Sequence, residues 1–272
     1  MGIARIEAKF AALKSENKSA FVTYIMAGDP DLETSFEILK DLTHKGADII
    51  ELGFPFSDPM AEGPTIQLAA ERALKGGMRI HQVFELVKRF RTFDQSTPLI
   101  LMGYMNPVES MGYAAFAAAL EEAGADGALI VDCPPEEASG LILALDDHEL
   151  ALIRLITPTS DEARLKTLIK GVKGFIYYVS VAGVTGVKSA EASDVEKAVK
   201  RIKALSDLPV CVGFGIKSED QARNIAKIAD GAVVGSALID EIKNSLSQKS
   251  AISTKVLEKV EILAHSVHSA RI

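Results

Sequence analysis

Residues 45–67 read KGADIIELGFPFSDPMAEGPTIQ, and the fold turns on how this stretch divides. Residues 47–53 form a short apolar run with one acid, Glu51, set inside it. A charge in an apolar strand is costly unless it is paired or used. A turn-rich loop follows, carrying a second acid, Glu62. Its prolines Pro55, Pro59 and Pro64 each fix their own φ and restrict the residue before them. From Ile66 the pattern becomes helical, so the stretch predicts strand, shaped loop and helix. The junction leading into the strand recurs, as KGADII at 45–50, AGADGALI at 123–130 and IADGAVV at 228–234. Such turns suit helix-to-strand connections, because glycine readily takes the left-handed conformation at a helix C-terminus.

Read outward from this unit, the chain repeats it. Strand patterns fall at 20–26, 47–53, 98–102, 127–132, 150–157, 174–180, 209–214 and 231–235. Helical patterns fall at 3–16, 31–45, 66–75, 80–93, 113–122, 136–147, 161–170, 190–205 and 218–228, with one or two more helices from Asp240 onward. Short unalternating apolar strands separated by helices mean a parallel sheet covered on both faces. Eight of them, each followed by helix, favour an α/β fold of the closed (β/α)8 kind, a TIM barrel, with extra N-terminal and C-terminal helices. The 272 residues suit one such barrel, for which about 250 is typical. No linker, low-complexity tract or composition shift divides the chain, so residues 1–272 are expected to form a single domain.

Composition narrows the function. A net charge of -7, a pI near 5.4 and the lack of a Lys/Arg cluster with interleaved aromatics argue against nucleic acid. No apolar run is long enough to span a bilayer, and the start lacks a signal peptide's apolar core. The two cysteines, Cys133 and Cys211, fall in or near strands as ordinary buried thiols, which fits a reducing, cytoplasmic setting.

In such barrels the working end lies at the C-terminal ends of the strands. Applied here, that rule nominates Tyr24, Glu51, Met102, Tyr104, Asp132, Tyr177, Tyr178 and Ser180, with a glycine-containing loop, VAGVTGVKS, after the sixth strand. GFGIKS and VGSA follow strands seven and eight, the usual phosphate site of the fold. There the N–H groups of Gly213, Gly215, Gly235 and Ser236 can converge on an anion. Alternatively these glycines only make tight turns, Glu51 is a structural acid, and Asp132 fixes a loop. His44, His81, His148, His265 and His268 fall on helices or their ends without metal-ligand spacing, so no metal is expected and solvated faces are their expected place. No lysine ends a barrel strand, which disfavours a Schiff-base aldolase. The residues thus describe a phosphate-ester enzyme that uses carboxylates, with a tyrosine as a candidate, for acid–base work.

The long motif ELGFPFSDPMAEGPTIQ resembles the signature of the tryptophan synthase α-subunit family. The resemblance continues through AGDP at 27–30, YMNP at 104–107, DCPPEE at 132–137, GVTG at 183–186, GFGI at 213–216 and VGSA at 234–237. It implies a lyase that cleaves indole-3-glycerol phosphate to indole and glyceraldehyde 3-phosphate by a retro-aldol reaction. It further implies Glu51 as the catalytic acid and base, Glu62 as the acid that bonds the indole N–H, and Tyr177 as the tyrosine that positions the substrate. Gly186, Gly215, Gly235 and Ser236 match the phosphate cradle. Tyr24, Met102, Tyr104, Leu129 and Phe214 match the indole pocket, and Thr185 a closing loop. Asp58, Pro59 and Pro134 match an interface with the β subunit, in an α2β2 assembly. Pyridoxal phosphate (PLP) belongs to that β partner, so no cofactor is expected in this chain.

One residue departs from the pattern: the family usually carries Asp where this chain has Glu62. The extra methylene displaces the carboxylate by about 1 Å, and a misplacement of that size can cost on the order of 10²-fold in rate. A compensating shift of the loop is expected, because the remaining site is complete. Three competing readings stand beside this one: a stand-alone lyase releasing free indole, a catalytically weak regulatory subunit, and another phosphate-binding barrel enzyme, such as an isomerase of tryptophan biosynthesis. The last leaves residues 49–67 unexplained.

Overall fold

The computed structural model describes residues 2–180, 192–213 and 215–271. Strands β1 (Ala20–Met26), β2 (Ile49–Gly53), β3 (Leu99–Gly103), β4 (Gly127–Ile130), β5 (Ala151–Ile156), β6 (Ile176–Val179), β7 (Val210–Gly213) and β8 (Gly231–Val234) pair in parallel in chain order. β8 returns to β1 and closes the barrel.

Helix α1 (Ile3–Ser15) precedes the first strand, and α2 (Leu32–Asp41) joins β1 to β2. Two helices, α3 (Pro64–Lys75) and α4 (Ile80–Arg91), lie between β2 and β3. Two more, α5 (Met105–Met111) and α6 (Tyr113–Ala123), lie between β3 and β4. Helices α7 (Ser139–Asp146), α8 (Glu162–Ile169), α9 (Ala192–Lys203) and α10 (Glu219–Ile228) follow the next four strands in turn. After β8 come α11 (Ser236–Asn244) and α12 (Ile252–His268).

Helix α5 stands outside the sequence expectation. Seven residues give barely two turns, too few for a periodic signal, and Pro107 is tolerated because it falls in the first turn. What starts this helix is a tertiary contact, the Met105 N–H donating to Asp132 Oδ1 at 2.7 Å.

Side chains alternate along a strand, so each strand divides its residues between two cores. On β2, Ile50 and Leu52 face the helical layer, while Ile49 joins Ala20, Val22, Ile100, Leu129, Ala151 and Cys211 inside the barrel. Two residues beyond Ile49 on the inward face comes Glu51, paired in register with Tyr24 of β1. The acid therefore crowns a fully apolar column.

The recurrent junction acquires a physical meaning at the opposite end. Asp48, Asp126 and Asp230 occupy equivalent places, one residue before the register pairs of β2, β4 and β8. Each carboxylate accepts the N–H of a neighbouring strand's residue: Phe21 at 2.9 Å, Leu99 at 2.8 Å and Val210 at 2.8 Å. Each aspartate's own N–H donates back to the carbonyl of that same residue. Gly46 and Gly124 take the left-handed conformation, with φ of 100° and 86°; at the third junction Ala229 is extended instead. Asp126 goes further, accepting also from Gly2 N–H at 3.0 Å, Arg91 at 2.9 Å and Arg5. Helix α1 thereby seals the barrel floor, burying Ile6, Phe10 and Leu13 against the interior column.

Candidate active site

At the other end of the barrel the inward-facing residues enclose a cavity. It is lined by Tyr24, Glu51, Glu62, Met102, Tyr177 and Ile66, with Gly215, Ile216, Val233, Gly235 and Ser236 completing its wall. Five strands supply its lining: Tyr24 from β1, Glu51 from β2, Met102 from β3, Tyr177 from β6 and Val233 from β8. Glu62 reaches the same space from the loop ahead of α3.

Glu51 is completely buried, and neither of its carboxylate oxygens meets a hydrogen-bond partner among the described residues. Burial, with the Glu62 carboxylate adding to it, pushes the Glu51 carboxyl from 4.5 up to about 8. Glu62, 9 % exposed, is pushed up to about 7 by burial alone. The phenols of Tyr24 and Tyr177 are held well above their ordinary range, by burial first and by these two carboxyls next. Two acids whose values straddle neutrality, in one apolar cavity, are equipped for proton transfer. A buried acid with a purely structural part is ordinarily paired.

The phenol of Tyr177 fits only because β7 ends in glycine. A Cβ at Gly213 would strike the Tyr177 hydroxyl. Gly215, with φ of 87°, stands in the left-handed region at the cavity wall, and its Cβ position faces open space. Gly235 precedes the first residue of α11, Ser236, so the start of that helix opens onto the cavity with its unsatisfied N–H groups and positive dipole end.

The sequence candidates distribute as follows. Glu51, Glu62, Tyr177, Tyr24, Met102, Gly215, Gly235 and Ser236 line the one cavity. Leu129 is fully buried in the barrel interior, paired in register with Met102 and not among the residues that line the cavity. Tyr104 stands behind Glu62, stacked on Phe56 with ring centroids 5.6 Å apart, and its hydroxyl accepts the Ala61 N–H at 3.1 Å. Gly186, Thr185 and Phe214 lie outside the described residues. Asp58 and Pro134 are exposed and Pro59 half-buried. Asp58 and Pro59 border an open groove of about 840 Å³, shared with Phe56, Gln67 and the exposed Met60 and Leu68. Ile66, Ile216 and Val233 were not among the candidates. Val233 could have been found from strand parity, two residues before Gly235 on the inward face.

The thiols of Cys133 and Cys211 are buried and free. His44, His81 and His265 are exposed, whereas two histidines depart from the solvated expectation. His148 Nδ1 lies 2.6 Å from Glu121, and His268 Nε2 lies 2.7 Å from the junction residue Asp48. Among the described residues no cluster of three metal-ligating side chains occurs, and no helix is long and apolar enough to cross a membrane.

Comparison with known proteins identifies relatives of this arrangement. The family model described as tryptophan synthase alpha chain matches residues 10–268. The tryptophan synthase alpha chain of Caulobacter vibrioides is 58% identical over 268 residues, covering 98% of each chain. That of Phenylobacterium zucineum is 57% identical over 268 residues, covering 98% of this chain and 97% of its own. Among solved structures, tryptophan synthase subunit alpha from Legionella pneumophila superposes with a TM-score of 0.91 at 40% identity, over 98% of both chains. Mycobacterium tuberculosis tryptophan synthase gives a TM-score of 0.89 at 36% identity, over 97% of this chain and 98% of the other.

Proposed function

The chain belongs to the tryptophan synthase alpha chain family, and from that premise we propose how its own residues carry the family's lyase half-reaction. That reaction cleaves indole-3-glycerol phosphate to indole and glyceraldehyde 3-phosphate. Indole leaves only once its C3 is protonated, and the glycerol hydroxyl next to the breaking bond must lose its proton. One carboxyl that gives a proton and then takes one serves both needs.

Glu51 has the required setting. Between about pH 7 and about pH 8 the pair holds one proton, with Glu51 neutral and Glu62 ionised. In that state Glu51 donates to indole C3. Glu62 accepts the indole N–H and offsets the positive charge that C3 protonation places on the ring. Glu51, now ionised, takes the hydroxyl proton as the C–C bond opens, and so returns to its starting form. Tyr177, kept neutral by burial, orients substrate and Glu51. The phosphate is held by Gly215 after β7 and by Gly235 and Ser236 at the start of α11. Tyr24 and Met102 wall the indole ring.

We further assign the destination of the indole to a β subunit that carries pyridoxal phosphate. What supports it is the groove beside Asp58 and Pro59, where Met60 is 80% and Leu68 41% exposed. Large apolar side chains left open in a polar-rimmed groove fit a protein partner. A stand-alone lyase and a catalytically weak regulatory subunit are not favoured beside relatives this similar over the whole chain.

The observation that carries the mechanism is the carboxyl of Glu51, buried in the cavity without a hydrogen-bond partner among the described residues. Glu51→Gln keeps the shape and removes the proton transfer, so indole release should vanish while substrate binding stays nearly intact. A variant retaining most of its rate would take Glu51 out of the mechanism. Assaying indole release by the purified chain, alone and with a β subunit, tests the partner assignment; turnover indifferent to the partner would count against it.

A further inference from the structure

Glu62 carries its carboxylate on a side chain with three torsions, so its placement depends on how firmly the Cα is held. The peptide groups on both sides of that Cα are anchored. On the N-terminal side the Glu62 N–H donates to the Pro59 carbonyl at 3.0 Å. One residue earlier, the Ala61 N–H donates to Tyr104 Oη at 3.1 Å. On the C-terminal side, Gln67 Nε2 donates to the Glu62 carbonyl oxygen at 2.8 Å.

That last bond is unusual for its place. Gln67 lies one turn into α3, with its own N–H already donating to the Gly63 carbonyl at 3.0 Å. Its side chain reaches back past the helix start to a residue outside the helix. Pro64, the first residue of α3, has no N–H to offer there. Gln67 itself is exposed and is not part of the cavity wall.

We infer that Gln67 is a positioning residue for the lyase reaction: by fixing the Glu62 carbonyl it fixes where the Glu62 carboxylate stands in the cavity. The inference rests on the role given to Glu62 above. It also explains how a glutamate serves at this place. A longer side chain spreads its carboxylate over more positions, and a clamped backbone narrows that spread.

The test uses the full chain with saturating indole-3-glycerol phosphate, following indole release. Gln67→Met keeps length and volume but cannot donate. One neutral hydrogen bond is worth about 0.5–1.5 kcal/mol, so kcat should fall about 3- to 10-fold while KM moves less than about twofold. The same change is then made in Glu62→Gln, with residual release followed at raised enzyme concentration. There Gln67→Met should cost less than about twofold, because no carboxylate remains to be placed. A kcat for Gln67→Met within about 1.5-fold of the parent, or a loss of equal size in both backgrounds, overturns the proposal. Glu62→Gln with the parent's rate overturns it together with the assignment of Glu62, whereas a crippled Glu62→Gln beside an unaffected Gln67→Met overturns the clamp alone.

Discussion

Glu51→Gln should stabilise the protein as it removes the reaction, and the two effects share one cause. The Glu51 carboxyl titrates near 4.5 in the unfolded chain and near 8 in its buried site. Across that window the unfolded chain has released a proton that the folded chain keeps, so stability falls as pH rises. The contribution is fully present below about 4.5 and lost by about pH 8. At about 1.4 kcal/mol per tenfold, the whole window amounts to about 5 kcal/mol, of which about 3 kcal/mol falls between about pH 5.5 and about pH 9. Glutamine does not ionise, and the cost of burying its amide is the same at every pH. Glu62 titrates in both proteins and largely cancels from the difference. Urea unfolding followed by far-UV circular dichroism suits a chain without tryptophan. The unfolding free energy of the variant minus that of the parent should widen by about 3 kcal/mol over this range and flatten above about pH 8. A difference constant to within about 0.5 kcal/mol would refute the claim that burial holds Glu51 neutral. With the expected widening, the parent is a case of stability given up at a working site.

Three further outcomes are expected. kcat/KM for indole-3-glycerol phosphate should be bell-shaped, falling below about pH 7 as Glu62 takes a proton and above about pH 8 as Glu51 loses one; a flat profile from acid to alkaline pH would contradict the pair. Glu62→Asp, on a backbone held at Pro59, Tyr104 and Gln67, withdraws the carboxylate by about 1 Å and should lower kcat about 10- to 100-fold; unchanged turnover would show that the loop still moves freely. Asp126→Ala leaves Arg91 and Arg5 buried without their partner at the barrel floor and should cost about 3–5 kcal/mol in urea unfolding, with a loss under about 1 kcal/mol speaking against a shared lock.

The barrel was legible in the sequence because each of its units repeats a local pattern. All eight strands lie where the apolar runs put them, β1 with the same ends and the others with ends differing by at most two residues, as hydrogen-bonded pairing mostly trims what hydrophobicity extends. Helix α5 was not legible, since the contact that starts it joins Met105 to Asp132 from a different unit. The junction aspartates show the same division. Their recurrence was visible, and the left-handed glycines at 46 and 124 follow from local turn chemistry. That each carboxylate grips the neighbouring strand depends on register, which only the closed barrel supplies.

The cavity follows this rule at the level of chemistry. Glu51 was legible because an acid inside an apolar strand violates the local pattern, and such violations concentrate where a protein works. Gln67 violates nothing, being an ordinary polar residue on the exposed face of a helix. Its distinction is the direction in which its amide points, back to a carbonyl five residues earlier. Residues that touch the substrate are thus conspicuous in sequence, while those that aim them are conspicuous only in space. In this chain the departure at position 62 is what makes the aiming matter: lengthening the acid moves the burden of placement from the side chain to the backbone contacts around it.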